Sequence, residues 1–98
     1  MGNYRITTRA RGDLIQIYDY TEAAFGAYQA EAYYAGLIRS FGLLADFPDI
    51  GQRADELRAG LRRFRFQSHL IFYTVGGDTV EIRAVLHHAR HLRPGLFS

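Results

Sequence analysis

Apolar and polar residues alternate over Tyr4-Arg5-Ile6-Thr7, the two-residue period of a short strand. The period then changes. Leu14, Ile17, Tyr18, Thr21 and Phe25 recur at helical spacing, so the stretch from Thr8, read as the cap of the first turn, to the break at Gly26 predicts one helix. A second helical stripe follows Ala27 at Ala30, Tyr34, Leu37, Phe41 and Leu44, reaches Phe47 and stops at Pro48. Proline ends it because its ring clashes with the preceding turn and its nitrogen has no proton to donate. The tight break at Gly26 predicts that the two helices fold back as an antiparallel hairpin.

Pro48 to Gly60, with Asp49, Gly51, Asp55 and Glu56, reads as a polar connection. Three segments with strand character follow it: Leu61 to Phe66, His69 to Val75, and Thr79 to His87. Two-residue connections at Gln67-Ser68 and Gly76-Gly77 would fold them into an antiparallel meander. Directly paired residues share a face, so a proposed register can be checked by the faces it makes. Pairing Phe66 with His69 sets Phe64 opposite Ile71. Pairing Val75 with Asp78 sets Tyr73 opposite Val80 and Ile71 opposite Ile82. One face then gathers Phe64, Phe66, Ile71, Tyr73, Val75, Val80, Ile82, Ala84 and Leu86, and is expected to pack on the helices. The other carries Leu61, Arg63, Arg65, Leu70, Phe72, Thr74, Glu81, Arg83, Val85 and His87, apolar and basic together. The predicted fold is α+β: an N-terminal strand, an antiparallel two-helix hairpin, then a three-stranded antiparallel β-meander. Residues 1–98 are expected to form a single domain.

Composition narrows the chemistry. With 98 residues, 48% of them hydrophobic and 14% aromatic, the chain is expected to fold around one core and not to stay disordered. It has no cysteine, which removes disulfides and Cys-type zinc sites and suits a reducing cytosol. Met1 to Thr8 has no apolar signal core, Ile6 stands where a myristoylation pattern needs Ser or Thr, and no apolar run approaches a membrane span. The expectation is a cytoplasmic protein without a membrane partner. All 12 basic residues are arginine, whose planar forks suit carboxylates and phosphates. The net charge of only +2 speaks against gripping nucleic acid by its backbone alone.

A sheet face with Leu70, Phe72 and Val85 open to water would be an adhesive patch, the mark of an interaction surface, unless the tail or the Pro48 to Gly60 loop covers it. Arg63, Arg65 and Arg83 around it favour an acidic amphipathic segment as partner, held by apolar anchors and Arg–carboxylate forks. The same residues admit an enzymatic alternative. Arg63 and Arg65 could stabilise charge on an RNA phosphate while His87 moves a proton, without a metal. No spacing, however, singles out a complete acid, base and phosphate clamp. His87, His88 and His91 could suggest a metal, but a third ligand is lacking and His88 would point elsewhere if the tail were helical. A solvated basic tail from His88 to Ser98, with Arg90 and Arg93, is the favoured reading, with neither metal nor cofactor. His69 reads as a structural hydrogen-bonding residue, and Tyr18, Phe25, Tyr34 and Phe41 as core. No phosphate-cradling glycine loop, nucleophile elbow or carboxylate pair stands out.

Asp13-Leu14 with Ile17 and Tyr20, Phe47-Pro48 with Gly51, Leu57-Arg58 with Gly60-Leu61-Arg62, His69-Leu70-Ile71-Phe72-Tyr73, and Val85-Leu86-His87 with Ala89-Arg90 form an ordered series along nearly the whole chain. In this series the chain resembles a ParE-type toxin of the RelE/ParE superfamily. The resemblance implies the toxin of a type II toxin–antitoxin system, neutralised in a hetero-oligomer by a ParD-like antitoxin whose C-terminal segment wraps it. It also implies growth inhibition by poisoning DNA gyrase, through protein contact and not enzymatic turnover. Carried onto this sequence, it makes Arg63, Arg65, Leu70, Phe72, Arg83 and Val85 the antitoxin contact and His87, His88, Arg90, His91 and Arg93 the target contact. Of the latter, only His87 and Arg90 stand in the matching motif; the others follow by proximity. The RelE branch of the fold would instead imply a metal-independent mRNA endoribonuclease, with Arg63, Arg65 and His87 as its catalytic residues. The absence of lysine departs from that branch. A third reading is a non-toxic module that co-represses its own operon with a partner.

Overall fold

The computed structural model describes residues 2–97. Strand β1 (Asn3–Ile6) leads into α1 (Thr8–Phe25) and α2 (Ala27–Asp46), followed by a two-residue strand β2 (Gln52–Arg53), then β3 (Arg62–Phe66), β4 (His69–Gly76) and β5 (Thr79–His87), and a 3-10 turn over Pro94–Phe97. The α+β order predicted from periodicity is present, and two further pairings widen the meander. The sheet runs β1-β5-β4-β3-β2, with β1 parallel to β5 and every other pair antiparallel.

Local chemistry sets the boundaries. Thr7, not Thr8, caps α1, its hydroxyl accepting from the Ala10 N–H and so satisfying one of the first-turn donors that no helix can satisfy internally. Gly26 ends α1 and opens α2 with φ at 94°, a conformation open mainly to glycine. Leu61 falls just outside β3, and the second hairpin turns at Gly77-Asp78 instead of Gly76-Gly77, since Gly76 pairs with Thr79.

On α2 the inward stripe is Ala30, which is buried, with Leu37, Phe41 and Leu44, which pack together with Ala10 and Leu14 of α1 and with Ile71, Tyr73, Val80 and Ile82 of the sheet, and Tyr33 packed against this cluster. The sequence stripe placed Tyr34 and Phe25 in this core. They lie outside it, at 41% and 67% exposure: Phe25 is the last residue of α1, and Tyr33 takes the inward position beside Tyr34.

The larger correction concerns the sheet. Phe66 pairs with His69 and Phe64 with Ile71 as expected, but Val75 meets Val80 and Tyr73 meets Ile82, a two-residue slip that preserves the predicted faces. Between Phe72 and Tyr73 the ladder then shifts by one, so that Phe72 faces Ala84 and Ile71 faces Val85. Arg83 is the extra residue of this bulge, and everything after it changes face. Val85 therefore enters the helix-side core, whereas Ala84 and Leu86 join Phe72 on the opposite face.

That opposite face is not open. Ala54, Leu57 and Leu61 from the loop and Phe97 from the C-terminal turn pack with Phe72, Ala84 and Leu86 as a second core, flanked by Leu70, Leu92 and Leu96. Phe72 is fully buried, and its ring lies 4.8 Å from that of Phe97. The tail is accordingly not a solvated strand end throughout; its last turn is a structural element.

Two buried hydrogen-bonding groups hold this arrangement. The bulge leaves the Val85 N–H facing the helices, and Asp13 Oδ2 accepts it at 2.9 Å while Oδ1 takes Arg9 Nε at 3.3 Å. Asp13→Ala is expected to destabilise the protein by about 2 kcal/mol, since an unpaired buried donor loses its water without a replacement. Asp13→Asn should recover part of this in urea unfolding, because its amide oxygen can still accept. In the loop, the buried Tyr73 hydroxyl donates to the Pro48 carbonyl at 2.8 Å and accepts from the Gly51 N–H at 2.9 Å. This clamp fastens the segment after α2 to the centre of the sheet.

Candidate functional site

Of the six residues expected to form one adhesive face, the bulge moves Val85 to the helix side, and the covering loop and tail bury Phe72. Phe72 and Val85 are buried, in different cores. Leu70 is half-buried at the margin of the second core, and Arg65 is exposed with its Nε bound to the Gln67 carbonyl at 2.6 Å. Arg63 is drawn to the covering loop, 3.4 Å from Glu56, and Arg83 is held between Glu81 at 2.6 Å and the Thr74 hydroxyl at 2.9 Å. Arg63 and Arg65 stand on β3 opposite Phe72 and Leu70, and His87 ends β5 opposite His69.

A different cluster does form where the β3–β4 turn meets the end of β5. The Tyr33 hydroxyl lies 2.6 Å from His69 Nδ1 and also accepts the Ser68 N–H at 3.2 Å. His69 pairs across the ladder with His87, ring centroids 5.5 Å apart, and His87 stacks on His88 at 4.7 Å. The His88 N–H donates to the Ser68 carbonyl at 2.9 Å, and His87 Nδ1 accepts the Ala89 N–H at 3.1 Å. These bonds fix the direction in which the tail leaves the sheet.

Burial, reinforced by His87 and His88, pushes His69 from 6.5 down to about 4, so its ring is neutral at neutral pH and its Nδ1 can accept. Burial raises the Tyr33 hydroxyl, which keeps its proton to donate. His88 is also lowered, by desolvation first and then by Arg65 and His87. The histidine now has a linkage consequence. A depressed folded pKa means that the unfolded chain binds the proton first, so stability present above pH 6.5 is lost as pH falls towards about 4. Chemical-denaturation midpoints should therefore drop between about pH 6.5 and 5, above the carboxylate range. In His69→Gln this slope should be visibly flatter.

The tail residues His87, His88, Arg90, His91 and Arg93 are all exposed. They follow one another along the segment that joins this corner to the buried Phe97. The segment is a turn, not a helix, so His87 and His91 do not share a helical face, and no metal-holding group of three or more ligands occurs among the described residues. His69 is the hydrogen-bonding residue expected from the sequence, whereas Tyr33 is hidden there by its neighbour Tyr34, which fits the stripe equally well. Phe97 is signalled in the sequence only by its spacing from Leu92 and Leu96.

Open apolar surface also lies on the helix hairpin. Ile15, Tyr20, Phe25 and Tyr28 are mostly exposed, and a groove of about 450 Å³ runs beside Ile15, Tyr18 and Tyr34 with Arg11, Asp19 and Glu31 at its margins. No helix among the described residues is long and apolar enough to cross a membrane.

This arrangement, a helix hairpin laid on one face of a five-stranded sheet, is found in two solved toxin–antitoxin systems. A chain of the chromosomal ParDE system from P. aeruginosa superposes with a TM-score of 0.77 at 19% identity, covering 89% of this chain and 96% of that one. A chain of the RelBE2 toxin–antitoxin complex from Mycobacterium tuberculosis does so with a TM-score of 0.61 at 26% identity, covering 89% and 98%. The fold thus occurs in a chain of each kind of system. The sequence resolves the kind: the family model described as "ParE toxin of type II toxin-antitoxin system, parDE" matches residues 4–92, and the chain belongs to that family. It is 41% identical to Toxin ParE1 of Caulobacter vibrioides over 96 residues, 98% of this chain and 99% of that one. It is 36% identical to Toxin ParE1 of Mycobacterium tuberculosis over 85 residues, 86% and 87% of the two chains.

Proposed function

We propose that the chain is a growth-inhibiting toxin that acts in the cytoplasm by poisoning DNA gyrase through protein contact, and that a ParD-like antitoxin neutralises it in a hetero-oligomer. The match to the ParE toxin family over residues 4–92 carries this reading. The geometry supports a division of surfaces. His87, His88, Arg90, His91 and Arg93, exposed on a segment pinned at both ends, form the target contact. The antitoxin contact comprises Arg65, Leu70 and the accessible edges of Arg63 and Arg83, and extends to the open aromatic surface of the hairpin at Ile15, Tyr20, Phe25 and Tyr28. Phe72 and Val85 act beneath this surface as its support.

Expression of the chain alone should arrest growth, and co-expression of the antitoxin should restore it. Harmless expression in the absence of any antitoxin would favour the co-repressor module instead.

A second reading, a metal-independent mRNA endoribonuclease, draws on the corner where Tyr33, His69, His87 and His88 meet beside Arg65. There His87 would move a proton, and Arg63 and Arg65 would neutralise a phosphate. That reading fails if His87→Ala retains full growth inhibition and no mRNA cuts appear after induction.

A further inference from the structure

The outer side of α1 carries a line of side chains that the rest of the chain leaves open. Arg11, Ile15 and Asp19 stand four residues apart and so follow one another along a single ridge of the helix; all three are exposed, Ile15 by 62%. The same three line the groove of about 450 Å³ on the hairpin, together with Tyr18, Glu31 and Tyr34. The aromatic wall of this groove is already set: the Tyr18 hydroxyl donates to Glu31 at 2.8 Å, and the Tyr18 and Tyr34 rings meet edge to face at 6.4 Å. The charges at its two ends are not. Among the described residues neither the Arg11 nor the Asp19 side chain has an ion pair or hydrogen bond within the chain. They cannot pair with each other, because the helix sets them about 12 Å apart along its axis. Gly12 is a second unexplained feature of the same face. Glycine inside a helix weakens it, and packing does not require this one, since a Cβ there would meet no atom within 4 Å.

We propose that this ridge is a self-association surface, on which a second copy of the chain packs through its own α1, antiparallel about a two-fold axis at Ile15. The pattern is self-complementary. Reversing the ridge about Ile15 lays Arg11 of each copy beside Asp19 of the other and sets Ile15 against Ile15, so one apolar centre and two equivalent ion pairs form together. Helix packing permits this alignment, because rows of residues four apart interdigitate in the commonest crossing geometry. Gly12, one turn before Ile15, carries no side chain and lets the second helix come close. Other occupants match less well. An acidic segment would meet Asp19 and Glu31, and a basic one would meet Arg11, whereas a reversed copy satisfies both ends. The inference does not rest on the toxin reading, but it bears on it. Ile15 also belongs to the surface assigned above to the antitoxin, so the two copies must separate before that contact forms, and the dimer is a state of the free chain.

The test is sedimentation velocity of the full-length chain over a range of concentrations. The unaltered chain should pass from monomer to dimer as concentration rises, and should associate less at high salt, where ion pairs are screened. Arg11→Asp and Asp19→Arg each set like charges together at both contacts, and each should weaken association by about tenfold or more. The double variant restores opposite charges and should associate as the unaltered chain does. So should an equimolar mixture of the two single variants, in which every contact again joins an Asp to an Arg. Ile15→Gln should weaken the dimer without recovery in any mixture. Thermal unfolding followed by circular dichroism should stay close to that of the unaltered chain throughout, since these side chains have no charged partner within it. A chain that stays monomeric at every concentration overturns the proposal. So do single variants that associate as tightly as the unaltered chain, or a mixture of them that fails to recover. Growth arrest is scored separately, so toxicity without a dimer, or a dimer without toxicity, separates this inference from the toxin reading.

Discussion

Phe72→Ala is expected to lower unfolding stability by about 4 kcal/mol, the loss that follows when a fully buried aromatic is removed and the cavity only partly closes. Urea titration followed by circular dichroism would measure it. A typical domain has only about 5–15 kcal/mol in total, so the variant should be close to unfolding at growth temperature. The effect separates two pictures of the sheet. On an open face, Phe72 would be a binding anchor, and its loss would abolish partner affinity at little cost in stability. Beneath Leu57, Leu61 and Phe97 it is the centre of a second core, and stability is what falls. Phe97→Ala should show a smaller loss of the same kind, since Phe97 is the outer layer of that core.

Gly51→Ala is expected to destabilise by about 3 kcal/mol in the same titration, combining overpacking with broken buried hydrogen bonds. A Cβ at residue 51 would lie within 3 Å of the Tyr73 hydroxyl and ring, and Tyr73 is fully buried with nowhere to retreat. The same displacement would break both bonds of the clamp, to the Gly51 N–H and the Pro48 carbonyl. Tyr73→Phe removes those bonds without the clash and should cost less than Gly51→Ala. If the two variants proved equal, the close approach would contribute nothing, and the clamp alone would explain why glycine stands three residues after Pro48.

Both variants probe features of unequal legibility. The Phe47-Pro48 and Gly51 spacing was visible, as one piece of the family series, but its physical reason, a tyrosine hydroxyl buried 22 residues downstream, was not. The helices, the meander and the first hairpin register were readable because period and turn residues are local properties. The parallel partnership of β1 with β5 was not, since four alternating residues do not encode which strand they join. The bulge was missed for a related reason. Face assignment by alternation assumes that no residue is extra, and one unpaired residue at Arg83 exchanges Val85 with Ala84 and Leu86. The run Ala84-Val85-Leu86, apolar without alternation, was the available sign that β5 is buried on both sides. The cover over Phe72 was legible only as an alternative, in the apolar residues Leu57 and Leu61 of the loop and Leu92, Leu96 and Phe97 of the tail.

The histidine corner had the opposite history. His69, His87 and His88 were noted separately, but the sequence could not say that the β4–β5 ladder sets His69 against His87, nor that Tyr33 reaches them from α2. Once they are together, the direction of the tail becomes a structural property and not a matter of a free terminus. That is why His87, His88, Arg90, His91 and Arg93 are exposed along one segment held at both ends.

We propose that this surface inhibits by contact with gyrase. Its most direct test is a DNA cleavage assay with purified gyrase, supercoiled plasmid and increasing amounts of the purified chain. Gyrase-linked cleaved DNA is expected to accumulate with dose, Arg90→Ala combined with Arg93→Ala to reduce it while leaving the fold intact, and no RNA to be cut. Unaltered supercoiling and cleavage, with mRNA fragments appearing instead, would contradict it.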